Sequence, residues 1–168
     1  MPADERCDDA YFHAGNRLNN TTLSVRFGEV AHASPEYWAA CLLRDELLRA
    51  PLGLDLFSEN LADESSYLHI GGFADAGRVV AYLQFKPIDE SVLKMQQVAV
   101  AENLQGTGVG RSLMAFAEDF ARGRGWLEIV LHAREEVVGF YETLDYERFG
   151  DRFDELGIPH FKMRKALR

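Results

Sequence analysis

Residues 105–112, with the sequence Q-G-T-G-V-G-R-S, constrain this chain more than any other stretch. Three of them are glycines at alternate positions, between a segment that predicts a β-strand and one that predicts an amphipathic helix. Glycines at such a junction let the backbone adopt positive φ angles and approach a ligand closely. The first amides of the helix have no acceptor inside it and lie at the positive end of its dipole. The segment therefore predicts a phosphate-binding site.

The spacing of these glycines discriminates between phosphate-binding loops. A Walker loop requires G-x-x-x-x-G-K-[ST], and no lysine follows the glycines here. The dinucleotide-binding pattern G-x-G-x-x-G fails because Arg111 stands where the third glycine belongs. Gln105, Gly108 and Gly110 instead form the pattern Q-x-x-G-x-G. The alternative is a glycine-rich turn that only caps a helix, and the flanking strand and helix make that alternative the weaker one.

Composition bounds the class of protein. The 168 residues with 47% hydrophobic content predict a single domain at residues 21–168, preceded by a poorly ordered extension at residues 1–20. The net charge of −9 argues against a nucleic-acid partner, because phosphate neutralisation needs a basic surface. No apolar run is long enough to span a membrane, so no membrane partner is expected. Cys7 and Cys41 form neither a disulfide framework nor a metal motif, which favours a cytoplasmic protein without a metal.

The remaining patterns predict an α+β fold in which a mixed sheet carries helices on its faces. Ser34 and Pro35 predict the start of a helix that runs to about Arg49 and buries a stripe formed by Trp38, Leu42, Leu43 and Leu47. Further helices are predicted at residues 109–124 and 135–144. Strands are predicted at residues 21–28, 67–73, 78–86, 92–101, 126–133, 146–153 and 160–166.

The loop and the segments after it resemble the GNAT superfamily of N-acetyltransferases, and within it the ElaA/YjcF-like bacterial branch. The segments are R-A-P-L-G-L at 49–54, L-H-A-R at 131–134, F-Y-E-T-L-D-Y at 140–146 and G-I-P-H-F-K-M at 157–163. The resemblance covers about residues 22–167. It implies the GNAT fold, a mixed and mostly antiparallel sheet of about six to seven strands, splayed in the middle and flanked by about four helices.

The resemblance also implies acetyl-CoA as cosubstrate. The loop would bind the diphosphate, and the pantetheine arm would pair with the backbone of a bulged strand, as extended ligands do at sheet edges. Arg134 stands where many members of the superfamily have Asn or Gln. The implied cofactor-binding residues are Val98, Ala99, Val100, Gln105, Gly106, Thr107, Gly108, Val109, Gly110, Arg111, Ser112, Arg134 and Phe140.

Tyr141 stands where the superfamily has a tyrosine near the thiolate sulfur, which implies a general acid. The alternative is that Phe140 and Tyr141 only pack a helix against the sheet. Asp145 replaces a glycine that usually ends this helix in a left-handed conformation, which Asp tolerates better than most residues. The reaction also requires a base for the amine proton. The sequence leaves four candidates open: Glu90, His69, Gln96 and His160.

The leading hypothesis is therefore an acetyl-CoA-dependent N-acetyltransferase that acts by direct attack of a primary amine in a ternary complex. Its acceptor would be a small-molecule or peptide amine, and a homodimer is compatible with the superfamily. The alternative is a non-catalytic acyl-CoA-binding or regulatory domain, which would bind CoA without releasing thiol. No motif identifies the acceptor, because binding pockets are built from variable loops.

Overall fold

The structure is a computed structural model that describes residues 11–15 and 22–168, with side chains from residue 23 onward. The strands are β1 Tyr11–Gly15, β2 Thr22–Val30, β3 Leu68–Phe73, β4 Val79–Pro87, β5 Val92–Val100, β6 Glu128–Arg134, β7 Glu147–Glu155 and β8 Ile158–Ala166. The α-helices are α1 Pro35–Leu48, α2 Val109–Gly123 and α3 Val138–Glu142. Short 3₁₀ segments are Ala50–Leu52, Leu56–Ser58, Leu61–Ser66, Asp75–Gly77, Glu102–Leu104 and Glu135–Val137.

The described strands form one sheet in the order β1-β2-β3-β4-β5-β6-β8-β7. Neighbouring strands are antiparallel except β5 and β6, which are parallel, so the predicted mixed and mostly antiparallel α+β fold is confirmed. Eight strands occur because Tyr11–Gly15 pairs with the edge of β2. Tyr11–Gly15 falls within the extension predicted at residues 1–20 and pairs with β2 through its backbone. The rest of residues 1–20 lies outside the described residues, and the single domain at 21–168 stays a prediction.

Two helices cover opposite faces of the sheet. Val25 and Phe27 of β2 belong to the core cluster that includes Leu113 of α2, whereas Val30 belongs to a second cluster with Tyr37 of α1. The odd spacing of these β2 residues places them on opposite faces, as the alternation of a strand requires. The helix α1 packs over β3, β4 and β5.

The helix α1 begins as predicted, because the Ser34 hydroxyl accepts a hydrogen bond from the Tyr37 amide at 3.2 Å. Its predicted apolar stripe is wrong. Trp38 and Leu42 are 43% and 64% exposed, and the buried face contains Tyr37, Ala40, Cys41 and Arg44. Arg44 faces inward because its hydrogen-bond partners lie there: Glu64 of the 3₁₀ segment Leu61–Ser66 and Gln97 of β5. Within the described part of the chain, no helix is long and apolar enough to cross a membrane.

Candidate active site

The junction between β5 and α2 adopts the conformation that its glycines predict. Gly106 and Gly108 have φ angles of 76° and 97°, in the region that favours glycine. Two side chains brace the loop: Gln105 Nε2 donates to the Val100 carbonyl at 3.0 Å, and the Thr107 hydroxyl donates to the Leu104 carbonyl at 2.5 Å. The loop is therefore held in shape by bonds to its own backbone, and Gln105 is a brace of the loop in this structure.

The start of α2 presents unpaired amides. Gly108 is the N-cap and contributes no side chain, and the first bond into the helix runs from the Ser112 amide to the Gly108 carbonyl at 3.1 Å. The amides of Gly108, Gly110 and Arg111 consequently have no acceptor within the described residues. With the positive end of the helix dipole, they form a site suited to an anion.

The loop, the end of β5 and α3 converge at Gly110. A Cβ atom at Gly110 would lie 3.8 Å from both the Phe140 ring and the Val100 side chain. Arg111 Nη2 also donates to the Thr143 hydroxyl at 2.9 Å, which ties the start of α2 to the end of α3. The structure thus brings together the loop residues and the two hydrophobic residues that the sequence assigned to the same cofactor.

A β-bulge interrupts β5 just before its C-terminal end. Gln84 pairs with Gln96, but Tyr82 pairs with Ala99, so β5 contains one more residue than β4 over this interval. Gln97, at the bulge, has a φ angle of 56°. The bulge shifts the register by one residue, and beyond it Ala99 and Val100 pair with Tyr82 and Ala81.

The sheet also opens between β5 and β6. Their parallel pairing ends at Met95 and Leu131, although β5 continues to Val100 and β6 to Arg134. The resulting gap confirms the predicted splay in the middle of the sheet. It lies beside the unpaired amides of the loop, so an elongated ligand bound at the loop can extend into it.

Tyr141 lies on the α2 side of this gap. It belongs to the same core cluster as Leu131 and Ala133 of β6, and its ring packs at 5.3 Å from Phe140 and 5.7 Å from Tyr146. Burial raises the pKa of Tyr141 to about 12. Its hydroxyl makes no hydrogen bond with any residue that the structure describes. The Tyr141 ring therefore packs in the core, while its hydroxyl remains available to donate a hydrogen bond.

Arg134 ends β6 opposite His160 of β8 and is half-buried. Its guanidinium forms no ion pair with the described part of the chain. An unpaired, half-buried cation at the edge of the gap is available to an anionic ligand.

A buried polar network supports the bulge from the α1 side. Arg44 donates to both carboxylate oxygens of Glu64, at 2.9 Å and 2.7 Å, and the Tyr37 hydroxyl donates to the same carboxylate at 2.7 Å. Arg44 Nε also donates to Gln97 Oε1 at 3.3 Å. Burial alone would raise the pKa of Glu64, but the hydrogen bonds and the charge of Arg44 outweigh it and hold that pKa below its usual value. The sequence analysis did not find this network.

His69 belongs to the same network. Its Nε2 donates to the Glu64 carbonyl at 3.0 Å, and its Nδ1 lies 2.6 Å from the Tyr82 hydroxyl. Burial lowers the pKa of His69, so the ring is neutral. Both ring nitrogens are engaged inside the protein, which leaves His69 without a free lone pair for an external proton.

The other predicted base candidates are placed differently. Glu90 is exposed in the turn before β5 and precedes Val98 by eight residues, which corresponds to about 25 Å along a strand. Gln96 is half-buried opposite Gln84. His160 Nδ1 donates to the Ile158 carbonyl at 2.7 Å and so stabilises the turn before β8.

The sequence analysis did not propose His132 of β6 as a base. His132 is the first residue of β6 beyond the last β5–β6 pair, and it alternates with the buried Leu131 and Ala133. Its Nδ1 lies 3.2 Å from Glu155 Oε1, and its ring meets Phe153 edge-on at 4.9 Å. The L-H-A-R segment contained a usable signal: the apolar neighbours of His132 on both sides predict a core-facing position for themselves, and the alternation of a strand then places His132 on the opposite face.

Comparison with known proteins agrees with this geometry. The profile of the acetyltransferase (GNAT) domain family matches residues 51–167, so the chain belongs to the GNAT acetyltransferase family. The sequence is 30% identical over 73 residues to the uncharacterised N-acetyltransferase YjcF of Bacillus subtilis, over 43% of this chain and 52% of YjcF. The predicted superfamily is thereby confirmed, and the similarity to YjcF agrees with the predicted branch. For YjcF and two other relatives, the match spans between 50% and 62% of the relative's own length.

Solved structures show the same fold. A Lactobacillus plantarum structure aligns with a TM-score of 0.77 at 23% identity, over 86% of this chain and 99% of its own. Escherichia coli ElaA aligns with a TM-score of 0.72 at 21% identity, over 84% of this chain and 99% of its own. A GNAT family acetyltransferase from Elizabethkingia anophelis, solved with acetyl-CoA bound, aligns at 0.63 and 15% identity over 85% and 98%. These identities support the fold alone.

Proposed function

We propose that this protein transfers the acetyl group of acetyl-CoA to a primary amine by direct attack in a ternary complex. The observation that carries the proposal is the row of unpaired amides at the start of α2, placed beside a gap in the sheet that Tyr141 borders. Family membership supports a CoA-dependent N-acetylation. The acetyl-CoA bound to the Elizabethkingia anophelis protein of the same fold supports the choice of cosubstrate.

The loop would hold the diphosphate of the cosubstrate. The amides of Gly108, Gly110 and Arg111 are the donors, together with the guanidinium of Arg111, and they act locally against a net charge of −9. The other loop residues shape this cradle. The pantetheine arm would follow the backbone of residues 98–100 into the gap, with Phe140 beside it and Arg134 at its edge.

The chemistry would then proceed in the gap. A neutral amine attacks the thioester carbonyl, and a backbone amide of residues 98–100 stabilises the oxyanion. Tyr141 donates a proton to the departing thiolate. Because burial raises the pKa of Tyr141 to about 12, the phenol carries its proton at neutral pH.

The acceptor would be a small-molecule or peptide amine. A cleft of about 440 Å³ between α1 and residues 101–103, which follow β5 and precede the loop, leaves room for a small acceptor. We place the enzyme in the cytoplasm, with a homodimer as a compatible assembly.

A thiol-release screen tests this function. Acetyl-CoA is incubated with the protein and lysine, spermidine, kanamycin, phenylethylamine or a lysine-containing peptide, and the release of CoA thiol is followed. We expect amine-dependent release with at least one class, and calorimetry should detect CoA binding. Binding without release by any amine would favour the non-catalytic acyl-CoA-binding alternative, and no binding at millimolar CoA would refute both.

A further inference from the structure

The face of the sheet opposite Tyr141 contains a histidine next to the gap. Along β6, Ile129, Leu131 and Ala133 face the α2 core, so His132 faces the other side. His132 is also the first β6 residue after the pairing with β5 ends. The gap is thus flanked by Tyr141 on one face and by His132 on the other.

The surroundings of His132 fix its tautomer. A carboxylate only accepts hydrogen bonds, so the Nδ1 atom that lies 3.2 Å from Glu155 Oε1 must carry a proton. In the neutral ring the lone pair is therefore on Nε2, which has no hydrogen-bond partner in the part of the chain that the structure describes. The side chain of His132 is 25% exposed, so a ligand can reach it.

Glu155 is itself held in place. Its second oxygen, Oε2, lies 3.5 Å from His160 Nε2, and His160 is anchored through Nδ1 to the Ile158 carbonyl. The ring of Phe153 packs edge-on against His132 and close to His160. The β7–β8 hairpin thus fixes the carboxylate that orients His132, as second groups orient catalytic histidines elsewhere.

We propose that His132 is the general base that deprotonates the acceptor amine, and that Glu155 is the residue that positions it. The proposal rests on the proposed function and extends it, because the base was left open there. His69 has both ring nitrogens occupied, and Glu90 lies at the opposite end of β5. His132 combines an available nitrogen with a place at the gap.

The proton transfers balance as follows in chemical terms. His132 Nε2 takes one proton from the bound ammonium, and the freed nitrogen lone pair forms the C–N bond. The C–S bond then breaks, and the sulfur takes the phenolic proton of Tyr141. The second nitrogen proton returns to Tyr141 through solvent, and His132 releases its proton to solvent. The products are the amide, CoA thiol and one proton.

The electrostatics favour this assignment. Burial lowers the pKa of His132, and the hydrogen bond to Glu155 opposes part of that shift. The charged groups that face His132 are Lys94 of β5, Lys162 of β8 and Glu155 of β7. A free amine with a pKa near that of lysine is about four pKa units more basic than histidine. Lys94 and Lys162 would lower the pKa of an ammonium bound beside them, which brings the pKa of the amine closer to that of His132.

The test combines variants with pH profiles of kcat, measured by thiol release with the most active amine of the five-amine panel. His132→Ala should lower kcat by about 10²–10⁴-fold without changing CoA affinity, and added imidazole should restore part of the lost rate. The matched control is His32→Ala, which removes a histidine that is bonded to the Leu61 carbonyl. Added imidazole should not change the kcat of this control. Retained activity in His132→Ala, or a loss that imidazole does not restore in a folded variant, would overturn the proposal.

Glu155→Gln provides a second and milder variant, because the Glu155 side chain is 46% exposed. Removing the carboxylate removes a group that raises the pKa of His132, so the acid limb of the kcat profile should move to lower pH. Glu147→Gln, exposed on the same strand, should leave the limb in place. An unmoved limb in Glu155→Gln would overturn the positioning role. A wild-type protein that binds CoA but releases no thiol with any amine would overturn both the proposed function and the role of His132. An active wild type whose His132 and Glu155 variants behave like the controls would overturn only the role of His132.

Discussion

Replacement of Arg44 by methionine should destabilise the protein strongly. Arg44 is fully buried, donates two hydrogen bonds to Glu64, and holds Gln97 at the bulge. Methionine preserves much of the side-chain volume but removes the charge. The Glu64 carboxylate, in a residue only 8% exposed, would then keep only the hydrogen bonds from Tyr37 and Gln84.

The size of the effect follows from the burial of the pair. Breaking a buried ion pair by removing one partner costs about 3–5 kcal/mol, because an uncompensated charge stays in the interior. A typical domain has a free energy of unfolding of about 5–15 kcal/mol, so this single change would remove a large fraction of it. The double variant Arg44→Met/Glu64→Leu has no buried charge left and should recover much of the loss.

Urea denaturation of the two single variants, the double variant and a control measures these free energies. The control is Arg152→Met, which removes an ion pair with Glu135 in which both side chains are about half exposed, and it should change the free energy by about 0–1 kcal/mol. The reasoning would be refuted if Arg44→Met cost no more than the control, or if the double variant were no more stable than Arg44→Met.

Three further predictions concern the site and the network. Tyr141→Phe should lower kcat by about 10²–10⁴-fold in the thiol-release assay, with CoA affinity nearly unchanged in calorimetry; equal activity would exclude the acid role. Gly108→Ala should cost about 1–2 kcal/mol in backbone strain at a φ of 97° and weaken CoA binding, whereas Gly123→Ala, with open space around it, should not. The lowered pKa of Glu64 contributes stability that is present above its unfolded pKa of about 4.3 and lost as pH falls through the folded pKa. The free energy of unfolding, measured by urea denaturation at pH values from 7 to 3, should therefore fall more with decreasing pH in the wild type than in Glu64→Gln. An equal fall in the two proteins would contradict this account.

Local chemistry explains why the loop and most of the elements could be predicted from the sequence. The glycines at 106 and 108 encode positive φ angles directly, and Ser34 with Pro35 encodes the start of α1. Asp145 adopts a φ of 66°, as its place after the helix predicted. Each of these features depends only on residues a few positions apart.

The features that were missed depend on residues far apart in the chain. Arg44 meets Glu64 across 20 positions and Gln97 across 53, so a burial pattern along α1 alone cannot show that the arginine faces inward. The same applies to His132 and Glu155, which are separated by 23 positions and meet only because β7 folds back beside β8. The strand β1 exists because the edge of β2 accepts it, and its own five residues carry little pattern.

A crystal structure of the complex with acetyl-CoA tests the central claim most directly. The account predicts diphosphate oxygens within about 2.7–3.2 Å of the amides of Gly108, Gly110 and Arg111. It also predicts the thioester sulfur in the gap between β5 and β6, within hydrogen-bonding reach of the Tyr141 hydroxyl. A diphosphate bound away from these amides, or a thioester that lies outside the gap, would contradict it.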